Sequence, residues 1–430
     1  MAAAELIGDR FELGRLVGRG GMGDVFHATD RHTGEAVAIK ILLQVPMGPA
    51  LERWRREVQL LAEIRDARTV RYVAHGVGRD GRPFLAMEWL EGQELAERLT
   101  YGPLAIGEAV ALAHRIAEGL SVLHARGVVH RDIKPSNVFL VGGSVERAKL
   151  LDFGVARLAD AALRATKSGV IVGTPGYMAP EQARGDAEID ARVDVYALGC
   201  VLYECLAGEP LFPGTNMVAI LAKILMGETP RIRSVRRDAS KELEALLARM
   251  LARNPVDRPS DGAAVAAELQ RLPGAAAIAS APSLPPARES RSITHTERRL
   301  VSVLLVSGGV TASASPPTAS TGVDETVAAT LDPRLVASQF SAAVEPLADG
   351  SLVVVLAGRG TATDQAARAA RCALELRRLL PRCPMALATG LASSDSELAA
   401  REVIDRAAEL LIAAPSPGVR LDDVTAGLLG

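Results

Sequence analysis

Residues 130–137 read HRDIKPSN, and few eight-residue stretches restrict a chain so strongly. An aspartate, a lysine two positions later and an asparagine five positions later share one short loop that Pro135 stiffens. Asp132 can accept a hydroxyl proton, Lys134 can steady a transferred phosphate and Asn137 can serve as a neutral metal ligand. Phosphoryl transfer needs those three groups at one place. Fifteen residues beyond Asn137, the run LLDFG sets Asp152 at the end of an apolar strand and just before a glycine, a position suited to a second magnesium ligand.

Upstream, GRGGMGDV supplies Gly18, Gly20 and Gly23. A glycine pattern of this kind also marks dinucleotide sites, which need a helix straight after it. Here DVFHATD continues as a strand, which favours a flap folded over phosphates, with glycine letting backbone N–H groups come close to phosphate oxygens. Seventeen residues after Gly23, VAIK places Lys40 in an apolar strand, where a lysine is expensive unless paired. Glu57 offers a partner on a helix whose other face carries Leu51, Trp54, Val58, Leu61 and Ile64 at helical spacing. Taken alone, each has a plainer reading: Lys40 as a solvent-facing strand residue, Glu57 as part of a solvated helix face.

The 430 residues leave room for more than one domain, and 48% hydrophobic content marks a globular chain. A formal net charge of −2 gives no electrostatic reason for a nucleic acid or anionic membrane partner. Of 49 basic residues 43 are arginine, so each of Lys40, Lys134, Lys149, Lys167, Lys223 and Lys241 is worth following individually. Cys200, Cys205, Cys372 and Cys383 have no metal-ligand spacing and read as buried free thiols of a reducing compartment. The chain opens without a secretory signal pattern and holds no apolar stretch long enough for a bilayer, so a cytoplasmic location is expected. Short β-type runs from Phe11 to Lys40, with another at 83–89, give way after residue 90 to helical periodicity that runs to Leu272. Residues 273–296, rich in Pro, Ala and Ser, read as a flexible linker, and strand- and helix-like runs follow in 297–430.

With GTPGYMAPE at 173–181, DVYALG around Asp194 and NPVDRP around Arg258, residues 11–272 resemble a bacterial eukaryotic-type serine/threonine protein kinase. The resemblance implies an α+β bilobal fold, with a sheet-rich N-lobe over 11–90 and a helical C-lobe over 91–272. It implies ATP as substrate and magnesium as cofactor, with manganese as an alternative. Lys40 would hold the α- and β-phosphates, oriented by Glu57; Asp132 would be the base, Lys134 the γ-phosphate cation, and Asn137 and Asp152 the metal ligands. ATP would be met by Val17, Gly18, Arg19, Gly20, Gly21, Met22, Gly23, Asp24, Val25 and Ala38, with Met87 as gatekeeper and the hinge running from Glu88 to Leu90. Glu181 and Arg258 would form a buried ion pair, and Asp194 would hold the catalytic loop. Lys134 and Thr174 favour the serine/threonine class over the tyrosine class. Arg131 before Asp132 implies control by activation-loop phosphate, with Thr166 and Ser168 as autophosphorylation candidates; the plainer reading of Thr166 is an exposed loop hydroxyl.

Residues 297–430 resemble, more remotely, a class III nucleotide cyclase homology domain, through ERRLVSVLLV, LADGSLVVVLAG, TDQAARAARCALELRRLL, PMALATG and REVIDRAAELL in order. That chemistry requires two metal-binding aspartates. Ser307 stands at the first position and Asp349 at the second, while Asp405 and Glu409 stand where an asparagine and an arginine are expected. The resemblance therefore implies a small α/β domain that regulates or dimerises rather than one that catalyses, with degenerate nucleotide sensing or degeneration without a role as the alternatives. Protein substrates are the expected partners, with homodimerisation through either domain an open alternative. A scaffold that binds ATP without turnover and a small-molecule phosphotransferase are the competing readings; the intact Lys40, Asp132, Asn137 and Asp152 disfavour the first and GTPGYMAPE the second.

Overall fold

The computed structural model describes residues 6–20, 23–43, 58–60, 62–151, 175–214, 216–227, 229–272, 298–308, 332–358, 361–393, 397–413 and 417–430. Among the described residues of the N-terminal part the strands are β1 (Leu6–Ile7), β2 (Phe11–Gly20), β3 (Gly23–Asp30), β4 (Ala36–Leu42), β5 (Tyr72–Val77), β6 (Pro83–Glu88), β7 (Gly92–Glu94), β8 (Val138–Val141) and β9 (Ala148–Leu150). Helices α1 (Leu95–Leu99) and α2 (Ile106–His124) precede β8, and α3 (Pro180–Arg184), α4 (Arg192–Ala207), α5 (Met217–Met226), α6 (Ile232–Val235), α7 (Lys241–Met250) and α8 (Gly262–Gln270) follow β9. The C-terminal part holds β10 (Arg298–Val306), α9 (Pro333–Ser338), β11 (Ala343–Pro346), β12 (Leu352–Gly358), α10 (Ala362–Leu379), β13 (Pro384–Ser393), α11 (Glu397–Ala413), β14 (Gly418–Leu421) and α12 (Asp423–Leu429). Two compact units result: Met1–Ala179 with Glu188–Leu211 and Arg231–Pro285, and Pro180–Ala187 with Phe212–Pro230 and Pro286–Gly430.

In the first unit a six-stranded sheet runs in the order β1-β2-β3-β4-β6-β5 with every neighbour antiparallel. Alternation along β4 sorts its side chains. Val37, Ile39 and Ile41 join Phe11, Ala28, Phe84 and Ala86 in one apolar cluster, while Ala38 and Lys40 point to the opposite face. A second, three-stranded sheet, β7-β8-β9, follows the first. Helix α4 is buried on almost every side, as an apolar run with few charges demands. It stops at Gly208, whose φ of 80° is costly for any residue with a Cβ.

Within the second unit the five strands lie in the order β11-β12-β10-β13-β14, with β13 and β14 the parallel pair. β10 is central and buried on both faces, which explains its near-continuous apolar run: Val303, Leu304, Leu305 and Val306 are each at most 1% exposed. One face packs on Ala369, Cys372, Ala373 and Leu376 of α10. On the other, β13 offers Ala386, Ala388 and Gly390 to α11. A Cβ at Gly390 would come within 2.5 Å of Val403, so glycine is what allows that helix so close.

Candidate functional site

The loop 130–137 is shaped by one buried carboxylate. Asp194, fully buried on α4, accepts the backbone amides of His130 and Arg131, each at 2.7 Å, and the His124 ring nitrogen Nε2 at 3.0 Å. His124 Nδ1 in turn accepts the Gly262 amide at 3.1 Å, tying the end of α2 to the start of α8. Arg131 has a φ of 66°, a left-handed backbone that a non-glycine residue adopts only where its surroundings impose it. The two amides that donate to Asp194 supply that constraint. Ile133, 1% exposed, anchors the same loop to the core.

The polar groups meet around Asp132. Lys134 Nζ lies 3.0 Å from Asp132 Oδ2, and Asn137 Nδ2 donates to that same oxygen at 3.0 Å and to the Asp132 carbonyl at 2.7 Å. Using its amide nitrogen this way leaves the Asn137 side-chain oxygen as a hard donor, which suits magnesium or manganese. Leu151 is held from two sides: its amide donates to the Asn137 carbonyl at 2.8 Å, and its carbonyl accepts His130 Nε2 at 2.8 Å. Leu151 is thereby bonded to the loop through both its amide and its carbonyl. Asp152, Glu57, Gly21, Met22, Thr166, Ser168 and Thr174 lie outside the described residues.

Of the residues expected to face the nucleotide, Val25, Ala38, Lys40 and Met87 fall on one face of the six-stranded sheet, while Asp24, opposite Ile41, falls on the other. Val25 sits opposite Lys40, Lys40 opposite Leu85, and Ala38 opposite Met87, so all share the face away from the apolar cluster. Lys40 and Met87 are each 8% exposed. Val17 is exposed near the tip of the β2–β3 hairpin, where Arg19 lies opposite Asp24 and Gly20 opposite Gly23. The glycines differ in what they permit. A Cβ on Gly18 would meet no heavy atom within 4 Å, whereas one on Gly23 would lie 2.4 Å from the Ile41 carbonyl. Gly18 keeps space open; Gly23 is required first by the approach of β3 to β4.

Glu88, at the start of the expected hinge, accepts the Arg71 amide at 2.7 Å and Lys149 Nζ at 2.5 Å. In the turn Pro175–Tyr177, the Tyr177 hydroxyl donates to Glu204 Oε2 at 2.6 Å, pinning this segment to α4. Burial pushes both groups up: the Tyr177 hydroxyl far above its ordinary range and the Glu204 carboxyl above its own, the Tyr177 hydrogen bond opposing the latter shift. Arg258 and Glu181 are buried, at 4% and 5% exposure. Arg258 donates to the carbonyls of Ala252, Arg192 and Arg253. His124, Leu151 and Gly262 carry no sequence signal for their parts; Lys149 had one in its rarity.

The positions that the remote resemblance singles out are placed as follows. Asp349 Oδ1 accepts the Ser351 amide at 2.9 Å in its own turn, Asp405 pairs with Lys223 at 2.7 Å, and Glu409 is exposed on α11. Among the described residues no group of three His, Cys, Asp or Glu side chains is placed to hold a metal, and no helix is long and apolar enough to cross a membrane.

The protein kinase domain family matches residues 11–271. The chain is 35% identical over 279 residues to the serine/threonine-protein kinase PknB of Mycolicibacterium smegmatis, covering 63% of this chain and 44% of the relative. It is 39% identical over 272 residues to the serine/threonine-protein kinase Pkn1 of Myxococcus xanthus, covering 60% and 38%. It thus spans less than half the length of these relatives. A crystal structure of Rad53 residues 1–466 in complex with AMP-PNP shares the fold with a TM-score of 0.51 at 24% identity, over 62% of this chain and 65% of that one.

Proposed function

Because the chain belongs to the protein kinase family, we propose that it transfers the γ-phosphate of ATP to serine or threonine side chains of other proteins. The observation that carries this reading is the trio Asp132, Lys134 and Asn137 on a loop whose strained Arg131 backbone is held by Asp194. Asp132 would take the proton of the attacking hydroxyl while Lys134 steadies the phosphoryl group in flight; Lys134 is already 3.0 Å from the carboxylate that must stay ionised to accept that proton. Lys40 would hold the α- and β-phosphates, oriented by Glu57. Asn137 and Asp152 would hold magnesium, or manganese in its place, which when bound neutralises phosphate charge. The names of the relatives support the serine/threonine class, and the AMP-PNP complex of the fold neighbour supports ATP as donor.

Thr166, with Ser168 second, is the proposed autophosphorylation site, since an arginine directly before the expected catalytic aspartate resembles that of kinases controlled by activation-loop phosphate. Residues 297–430 are proposed as a cyclase-like regulatory domain without catalysis. The quoted runs form the strands β10, β12 and β13 and the helices α10 and α11, which supports that reading, while Ser307 and Glu409 lack the carboxylate and the cation that cyclase chemistry uses. Labelled ATP with magnesium and myelin basic protein should put label on serine and threonine of both proteins, and the 158–181 peptide should carry phosphate by mass spectrometry. Absence of label on the basic protein would refute the kinase reading; an unmodified 158–181 peptide in an active enzyme would refute the autophosphorylation site.

A further inference from the structure

Helix α5, MVAILAKILM, is apolar apart from Lys223, and Ala219 to Leu225 are all buried. A helix buried on every side needs cover on every side. Lys223 is 2% exposed, a cation that would be costly to desolvate alone. Its Nζ donates to the Pro213 carbonyl at 2.8 Å and meets both carboxylate oxygens of Asp405, at 2.7 and 2.8 Å. Asp405 lies on α11, the helix packed on β13. Two further contacts within the same unit point the same way. The Arg401 guanidinium lies over the Phe212 ring at 5.4 Å, and the Ala348 amide donates to the Ala183 carbonyl of α3 at 3.0 Å.

From this arrangement we infer that the faces of α5 and α3 form a protein-docking surface whose occupant is this chain's own C-terminal domain, latched by Lys223–Asp405, and that the latch withholds this surface from protein substrates. The inference rests on the kinase reading above. Helix α3 continues directly from GTPGYMAPE, the segment that resemblance makes the platform for a peptide substrate. An occupant bonded to α3 and covering α5 takes up residues that follow that platform directly in sequence, which a large substrate would engage beyond its phosphorylated residue. A short peptide needs none of that surface, so the latch should discriminate by substrate size.

The full chain, Asp405→Lys, Arg401→Ala and the charge-conserving Asp405→Glu would be compared by hydrogen–deuterium exchange and by phosphorylation of myelin basic protein against a short serine peptide. Asp405→Lys should raise exchange of the 217–226 amides by about tenfold or more, since one partner of a buried charge pair is lost; Arg401→Ala should raise it less, and Asp405→Glu should leave it near wild type. Protection of β10 and β13 should persist, showing the C-terminal sheet intact. The ratio of protein to peptide phosphorylation should rise in Asp405→Lys by about fivefold. Unchanged exchange at 217–226 in both Asp405→Lys and Arg401→Ala would overturn the latch; raised exchange with an unchanged ratio would overturn its control of substrates. Should wild type phosphorylate neither substrate, the kinase reading fails, and exchange still decides the docking.

Discussion

At the scale of single residues, the fate of the lysines separates chemistry from scaffolding. In a chain so poor in lysine, Lys134 meets Asp132, Lys149 meets Glu88 and Lys223 meets Asp405, and only the first of these pairs lies in the loop 130–137. Asp194 makes the sharper case. Its carboxylate takes two amides and a histidine in a fully buried site, and removing such an acceptor strands buried donors. Asp194→Ala should lower stability by about 3 kcal/mol in thermal unfolding, and should lower the rate of phosphate transfer more than the affinity for ATP, because it frees the loop and not the sheet. Asp30 gives a pH prediction. Its carboxyl is held down at about 2, first by the hydrogen bond from Arg10, burial opposing. A depressed value stabilises the fold above the ordinary carboxylate range, and that contribution is lost as pH falls toward 2. Asp30→Asn should therefore be less stable at neutral pH by about 2 kcal/mol and lose less stability on acidification, as read by denaturant unfolding across pH. Asp132, Lys134 and Asn137 were legible because eight consecutive residues hold them. His124 and Gly262 were not, since 138 residues separate them and only the packing of α2 and α8 brings them together.

At the scale of elements, the hairpin β2–β3 divides the labour of its glycines. Alanine at Gly18 enters open space, while alanine at Gly23 runs into the Ile41 carbonyl. Gly18→Ala should therefore change stability by less than about 0.5 kcal/mol while raising KM for ATP; Gly23→Ala should lower stability by about 1–3 kcal/mol by thermal unfolding. The strands of this sheet were readable from alternation and turn residues between Phe11 and Lys40. β1, two residues long, and the short β7-β8-β9 sheet were not: runs of two to four residues carry too little pattern, and β7 finds its partner β8 only about 45 positions further along the chain. Of the helix expected over 50–65, residues 58–60 and Ala62 are helical, and the chain leaves the helix at Glu63, short of the expected end; Val58 and Ile64 are buried, and residues 50–57, Glu57 included, and 61 lie outside the described residues.

At the scale of the whole molecule, all four cysteines are free and buried, as their apolar surroundings in the sequence imply. Burial pushes the Cys200 and Cys205 thiols well above the ordinary range and that of Cys372 up to about 11. Since the thiolate is the reactive form, the native protein should resist a thiol reagent and all four should react together on unfolding. Fast labelling of any of them in native buffer would contradict the packing. The association of α5 with α11 left no trace in local pattern, because Lys223 and Asp405 are 182 positions apart; only the scarcity of lysine marked one partner in advance. The central claim, that Asp132 serves as base for phosphoryl transfer from ATP, is tested most directly by the transfer rate to myelin basic protein in Asp132→Asn against wild type. The account predicts a fall of about 100-fold or more with ATP binding retained; a rate within about threefold of wild type would contradict it.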